Sequence, residues 1–398
     1  MHVNILQNIM DTQHLGQVFT PESIVLDMLT LRKNLGSILD PCVGNGAFWH
    51  HIRGDNAVGI EIDPQYCPAD CLNMDFFDYD ICNRFNTIIA NPPYVAGKNI
   101  QQSTRTKLNK SYWQHYHPSG AFPFKTNLYI HFIAKCLVHL NRHGELIFIT
   151  PRDFIKHTLA ASVNSLLSST GNITHWFEYG EDNLFRDGPT AHNLVIWRFE
   201  RDYVGPRITM VNGVAKHLLN ASGQLMFASG EYSKRFSDLF FVRVGAVSGA
   251  DGIFVDKRGN LDIVWSGTVR TGQTRRVYYD HFDDYLLSNK ERLKSRKIKK
   301  FNDNNWFRWG RPLYRDDSER IYVNCKTRHN APFFLHPCKN FDGSVLGIFP
   351  KRPMDIQLAC DALNRIDWSD LGFRYGGRLM FSQRALENTL LPEEFERL

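Results

Sequence analysis

The chain has little that would place it in a membrane, a secretory route or a metal-binding class. No stretch of its 398 residues approaches the roughly 20 apolar residues of a membrane span. Met1 to Asp11 lacks a basic segment followed by a long apolar one, so no secretion signal is read there. The eight cysteines are scattered without a Cys-x-x-Cys pair, which suits the reduced thiols of a cytoplasmic protein. Cys67 and Cys71 stand four apart, but no second pair or nearby histidine completes a zinc set, and no metal is expected. Charge of one sign is missing from the first part of the chain. Residues 1–235 hold 20 Lys+Arg against 20 Asp+Glu, whereas residues 236–398 hold 27 against 21. The whole net charge of +6 therefore lies in the last 163 residues, and a basic region beside a neutral one suggests a polyanion partner.

What is present reads as a globular protein, with 43% hydrophobic and 22% charged residues. The length suggests two domains, with a boundary expected at 235/236. Short apolar runs alternate with helical stretches, which points to a doubly wound α/β domain. Strands are expected at Ser37-Ile38-Leu39-Asp40, at 57–63, at Thr87-Ile88-Ile89-Ala90, at 145–150 and at 194–199. Helices are expected at 22–32, with Thr20 as N-cap and Pro21 as first residue, and at 128–141. Residues 95–125 read as a long loop and 202–235 as a connector.

Asn91-Pro92-Pro93-Tyr94 follows the third of these strands. Two prolines cannot continue a sheet ladder, so the chain turns out at the strand's carboxyl end, where open parallel sheets bind ligands. The Asn91 side-chain carbonyl and the Pro92 backbone carbonyl suit an NH2 group that donates two hydrogen bonds, and Tyr94 offers a flat face for a base. A proline-rich turn capped by Asn is the bland alternative. Upstream, Asp40-Pro41-Cys42-Val43-Gly44-Asn45-Gly46 sits between a strand and a helix start. Glycines there let the backbone pass close to a ligand. A carboxylate at the strand end repels a pyrophosphate but accepts an ammonium group, which favours the amino-acid end of S-adenosylmethionine (SAM) over a dinucleotide. Glu61, 21 residues after Asp40, has the spacing of an acid that binds ribose hydroxyls, with Asp63 as its rival.

The tetrapeptide resembles the catalytic motif of adenine-N6 DNA methyltransferases, and it also occurs in enzymes that methylate RNA adenines and protein glutamines. The order of a Gly16-x-x-x-Thr20-Pro21 lead-in, the Asp-Pro-x-x-Gly-x-Gly loop, Asn91-Pro92-Pro93-Tyr94 and a C-terminal variable region resembles the gamma group, often partners of restriction enzymes. Fifteen residues precede Gly16, so no fused nuclease is expected before it. The resemblance implies a class I SAM-dependent methyltransferase fold with a C-terminal target-recognition domain, acting as a monomer on double-stranded DNA. A companion endonuclease need not touch it. The implied cofactor residues are Thr20, Asp40, Cys42, Gly44, Gly46, Glu61, Ile62, Asp75, Phe76 and Pro93. Of these, Asp75 takes the cofactor's adenine amine and Phe76 packs on its ring. Asn91, Pro92 and Tyr94 are the implied catalytic set. Phe185 is the implied second stacking aromatic, with Trp176, Phe177 and Tyr179 as alternatives or, for Phe185, a core position. Cys42 mimics a cytosine-methylase nucleophile but lies in the cofactor loop. Toward the C-terminus, seven basic residues from Lys290 to Lys300, for which a solvated helix is the bland alternative, are followed by Trp306-Phe307-Arg308-Trp309-Gly310-Arg311. Basic residues interleaved with aromatics suit phosphate and base contacts, with Lys297, Lys299, Lys300, Arg308 and Arg311 as candidates. An RNA or protein methyltransferase, and an inactive DNA-binding module, are the rival readings.

Overall fold

The computed structural model describes residues 20–54, 56–108, 125–179, 194–375 and 377–397. The chain divides into two compact units, Met1–Gly230 and Glu231–Leu398.

The first unit is built on one mixed sheet. Its strands are β1 Ile38–Asp40, β2 Ala57–Glu61, β3 Leu72–Asn73, β4 Phe85–Ala90, β5 Leu140–Pro151, β6 Gly171–Glu178, β7 Leu194–Arg201, β8 Ile208–Val211, β9 Val214–Ala221 and β10 Gln224–Ala228. They lie in the order β10-β9-β8-β6-β7-β5-β4-β1-β2-β3. The strands from β5 through β4, β1 and β2 to β3 pair in parallel, and β7 inserts antiparallel between β5 and β6. The central strands are apolar on both faces because both are covered: β1 is wholly buried, and α1 Glu22–Thr30 and α4 Leu128–His139 supply apolar surface. Ile24, Val25 and Met28 of α1 join Ile38, Ile89 and Ile147 in one cluster. Leu39, Ile88, Ile133 and Leu146 belong to another. Among the described residues the remaining α-helices of this unit are α2 Trp49–Ile52, α3 Gln102–Leu108 and α5 Ala161–Thr170.

Two expectations fail here. Residues 202–235 are no mere connector. Their residues supply β8 to β10, and β8 pairs in parallel with β6 and extends the sheet. The strand signal was hidden because half of β9 is exposed and its turns are rich in glycine and asparagine. Nor is Thr20 a cap. The Pro21 carbonyl takes the Ile24 and Val25 N–H groups at 3.0 and 3.1 Å, and no side chain caps α1. The segment 95–125 contains a 3-10 turn at Gly97–Asn99 and α3, and its residues 109–124 lie outside the described residues.

The amino end of the sheet is tied by a buried ion pair. Arg198 of β7 meets Glu145 of β5 at 2.7 Å, with both side chains inaccessible. Glu145 also accepts the Lys33 and Asn34 N–H groups at 3.0 and 2.9 Å and the Thr87 hydroxyl at 2.9 Å. A buried carboxylate supplied with this many donors is a structural group.

The second unit has a four-stranded antiparallel sheet in the order Phe240–Val244, Val345–Pro350, Ile321–Asn324, Phe333–Phe334. Smaller ladders join Leu261–Ile263 to Arg275–Val277, and place Arg378–Met380 between Lys326–Thr327 and Arg374–Tyr375.

Candidate active site

The site grows from the carboxyl ends of β1, β2 and β4. Strand order reverses around β1, because the chain moves one way to β2 and β3 and the other way to β4 and β5. That is the switch point at which open α/β sheets bind ligands. β1 ends on Asp40 and β4 runs into Asn91.

Asp40 is fully buried, yet its carboxylate is only half used. Oδ1 accepts the Cys42 N–H at 3.2 Å, and Oδ2 has no hydrogen-bond partner among the described residues. Burial raises its carboxyl from 3.8 to about 7, the Cys42 N–H opposes this, and nearby Glu61 adds to it. A buried acid with one open oxygen fits an ammonium group. The loop beyond it turns through left-handed backbone at Gly44 (φ 56°) and Gly46 (φ 86°). A Cβ at Gly46 would come within 2.9 Å of the ring of the exposed His50, which can move aside, so it is the positive φ that calls for glycine.

Glu61 spans two turns. Oε2 takes the Gly44 N–H at 2.7 Å and Oε1 the Asp63 N–H at 2.8 Å. The expected ribose carboxylate thus also holds the cofactor loop in shape. Its neighbour Ile62 is 47% exposed, an apolar surface at the strand end that fits a purine face. Asp75 caps a 3-10 turn through Oδ1, which accepts the Phe77 N–H at 2.9 Å. Its Oδ2 meets Lys107 of α3 at 2.9 Å. The same ammonium pairs with Asp78, and that bond first, then Asp75, raises its pKa. Lys107 falls in the 95–125 segment expected as a loop; the pairing is tertiary and leaves no local signal in the sequence. Phe76 is corrected. It is 2% exposed, with its ring packed on Phe132 at 5.2 Å and His139 at 5.5 Å and the Lys135 ammonium over it at 4.7 Å. Core packing leaves it almost no surface for a cofactor ring.

The tetrapeptide is held from three sides. The Tyr94 hydroxyl lies 2.6 Å from Asn91 Oδ1 and 3.0 Å from the Ile149 carbonyl. Burial pushes the Tyr94 phenol well above its usual range, so it stays a donor. Asn91 Nδ2 donates to Thr20 Oγ1 at 3.0 Å. The Cys42 thiol donates to the Asn91 backbone carbonyl at 3.4 Å and so ties the cofactor loop to the tetrapeptide. Burial, then Asp40 and Glu61, hold that thiol far above the usual thiol range, which leaves it no nucleophile. Pro92 is buried and Pro93 half-buried, and the half-buried Tyr94 ring meets Tyr129 edge-on at 6.0 Å. Phe185 and Gly16 lie outside the described residues. Of the alternatives to Phe185, Trp176 is fully buried core, whereas Phe177 and Tyr179 are half-buried.

In the second unit the basic stretch sorts itself. The helix covers only Lys290–Lys294, not 290–300. Lys290 and Lys294 pair with Asp303 at 2.7 and 3.3 Å. Arg296 is 8% exposed, donates to the carbonyls of Leu293, Ser248, Trp306 and Arg308, and lies 3.8 Å over the Phe301 ring. Trp306 and Trp309 are each 3% exposed, so these aromatics are core and offer no stacking face. Lys297, Lys299, Lys300, Arg308 and Arg311 are exposed.

Residues 59–185, from β2 through the tetrapeptide to the end of β6 and just beyond, match the model of the Eco57I restriction-modification methylase family. The match covers about a third of the chain. The chain's relatives include the type II methyltransferase M.HincII of Haemophilus influenzae, 29% identical over 231 residues, covering 56% of this chain and 44% of that protein. M.TthHB8I of Thermus thermophilus is 28% identical over 41% of each chain. The chain thus spans less than half the length of these relatives. A solved structure of the type IIL restriction-modification enzyme MmeI in complex with DNA aligns with a TM-score of 0.58 at 14% identity, over 97% of this chain and 67% of that one. That likeness shows the fold. Among the described residues no helix is long and apolar enough to cross a membrane, and no group of three His, Cys, Asp or Glu could hold a metal.

Proposed function

We propose that this protein is a site-specific adenine-N6 DNA methyltransferase, the modification enzyme of a restriction-modification system. The observation that carries the reading is the Asn91 amide, fixed at the end of β4 and tied to the cofactor loop through Cys42. The target adenine leaves the duplex and stacks on Tyr94, with Phe185 as the second face. Asn91 Oδ1 and the Pro92 carbonyl each accept one N6 hydrogen. Those bonds draw the nitrogen toward tetrahedral geometry and turn its lone pair out of the ring plane. Positioning and accommodation of developing charge supply the rate, and no general base acts before transfer. SAM supplies the electrophilic methyl on its sulfonium sulfur. Asp40 holds its ammonium, the open Oδ2 being the supporting feature. Gly44, Gly46 and Pro93 border its amino-acid end, Glu61 takes its ribose and Asp75 its adenine amine beside Ile62.

The second unit, in this reading, is the target-recognition domain for double-stranded DNA. Exposed Lys297, Lys299 and Lys300 suit phosphates, and exposed Arg308 and Arg311 suit base edges. The protein acts as a monomer in the prokaryotic cytoplasm, beside an endonuclease that it need not touch. DNA of known sequence, incubated with the protein and SAM and then sequenced for N6-methyladenine, should show one recurrent site. Label that appears only in RNA or protein would overturn the reading.

A further inference from the structure

We infer that Thr20 is a positioning residue for methyl transfer, whose hydroxyl oxygen keeps the Asn91 amide turned with its carbonyl, not its NH2, toward the target amine. The inference rests on the amine-clamp reading above. The two ends of an asparagine amide are nearly alike in shape and opposite in hydrogen bonding. Reversed, Asn91 would set donor against donor, and the clamp would be lost. Some contact must therefore tell its ends apart.

Among the described residues, two hydroxyls do so. Thr20, 8% exposed and 71 residues away in sequence, accepts from Nδ2 at 3.0 Å. At the other end the Tyr94 hydroxyl stands 2.6 Å from Oδ1. Tyr94 has one proton and a second acceptor, the Ile149 carbonyl at 3.0 Å. In the empty site that proton occupies Oδ1, as the substrate amine does in the loaded one. When the amine arrives, the proton turns to Ile149, and no buried group is orphaned. Thr20 keeps its partner throughout, so it holds the amide's orientation while the Oδ1 end changes donors. Its place is set by the start of α1. The Pro21 carbonyl accepts two helical N–H groups, and Ile24, Val25 and Met28 anchor the helix in the core with Ile89 of β4. The Thr-Pro pair is thereby spent on the tetrapeptide rather than on capping.

The test is Thr20→Val, which keeps the branched shape and removes the acceptor. Single-turnover transfer at saturating SAM should fall about tenfold, with SAM and DNA affinities changed by less than about twofold. Thr20→Ser should restore the rate. On an Asn91→Ala background Thr20→Val should cost nothing more, because the group it orients is gone. Thr20→Ala is the second variant should valine disturb folding. Weakened SAM binding with an unchanged saturated rate would make Thr20 a cofactor contact and overturn the inference, as would an unchanged rate altogether. If Asn91→Ala itself transfers normally, the amine-clamp reading fails instead, so the two failures are distinct.

Discussion

Two buried carboxylates stand at opposite ends of the same sheet, and their surroundings differ in kind. Glu145, at the amino end, accepts from Arg198, from the Lys33 and Asn34 amides and from Thr87. Asp40, at the carboxyl end, accepts one amide and leaves Oδ2 without a partner among the described residues. Both are inaccessible to solvent. Folding does not ordinarily leave a buried charge half-served, because the desolvation cost falls on the native state. The difference teaches which acid belongs to the scaffold and which waits for a ligand. A saturated carboxylate holds the sheet together; an unsaturated one at the switch point marks where the chemistry enters.

The sharpest way to break this contrast is at the scaffold end. Arg198→Ala leaves Glu145 buried and uncompensated, and should destabilise the first unit by about 3–5 kcal/mol. Urea unfolding followed by tryptophan fluorescence reads this, and a loss below about 1 kcal/mol would remove the scaffold role. At the other end, Asn91→Ala should fold normally and retain SAM, yet lose on the order of a hundredfold or more in transfer rate, near 3 kcal/mol. A near-normal single-turnover rate contradicts the clamp.

Asp40 itself gives a pH signature. Its carboxyl is raised from 3.8 to about 7 in the folded protein, the reverse of the usual carboxylate. Between those values the folded state holds a proton that the unfolded chain releases. Stability without cofactor should therefore fall as pH rises through that window and level off above about 7. An ammonium ligand favours the ionised form, so SAM affinity should run the other way, dropping about tenfold per unit below the raised value. Calorimetry at several pH values, in buffers of different ionisation enthalpy, measures both the affinity and the proton released. Asp40→Asn should weaken binding and flatten the profile, and a profile unchanged in the variant assigns the proton elsewhere.

The smallest expected effect belongs to the second unit. Replacing Lys297, Lys299 and Lys300 with alanine should leave its stability intact, weaken DNA binding for all sequences alike and reduce the salt slope by about 2–3. Arg296→Ala, one residue away, should unfold the unit, because four carbonyls and two aromatic faces lose a buried cation. Equal behaviour of the two variants would erase the division between structural and exposed bases.

That division was not legible in advance. A run of like charge reads as one solvated face, and nothing local says that Arg296 turns inward while Lys297 turns out. The same holds for Trp306 and Trp309, whose interleaving with arginine looked like a stacking surface until the core claimed them. The strand-end motifs were legible, because their chemistry is carried by backbone. Two prolines must leave the sheet, and glycine is needed where φ is positive, at Gly44 and Gly46. A carboxylate after a short apolar strand must stand at its carboxyl end. Phe76 was misjudged for the converse reason: an aromatic beside a motif residue has two sides to pack on, and neighbouring α4 decided which.

The sequence by itself therefore determined the α/β class, the order of the central strands' motifs and the clustering of Asp40, Glu61 and Asn91, since each follows from residues within a few positions. Only the tertiary structure decided that Thr20 serves Asn91 rather than its own helix, that Lys107 sits on Asp75, and that residues 208–228 extend the sheet. These are contacts between segments tens of residues apart. A hydrogen bond or ion pair of that span is chosen by how strands and helices are packed, and a side chain carries no local mark of the partner it will meet.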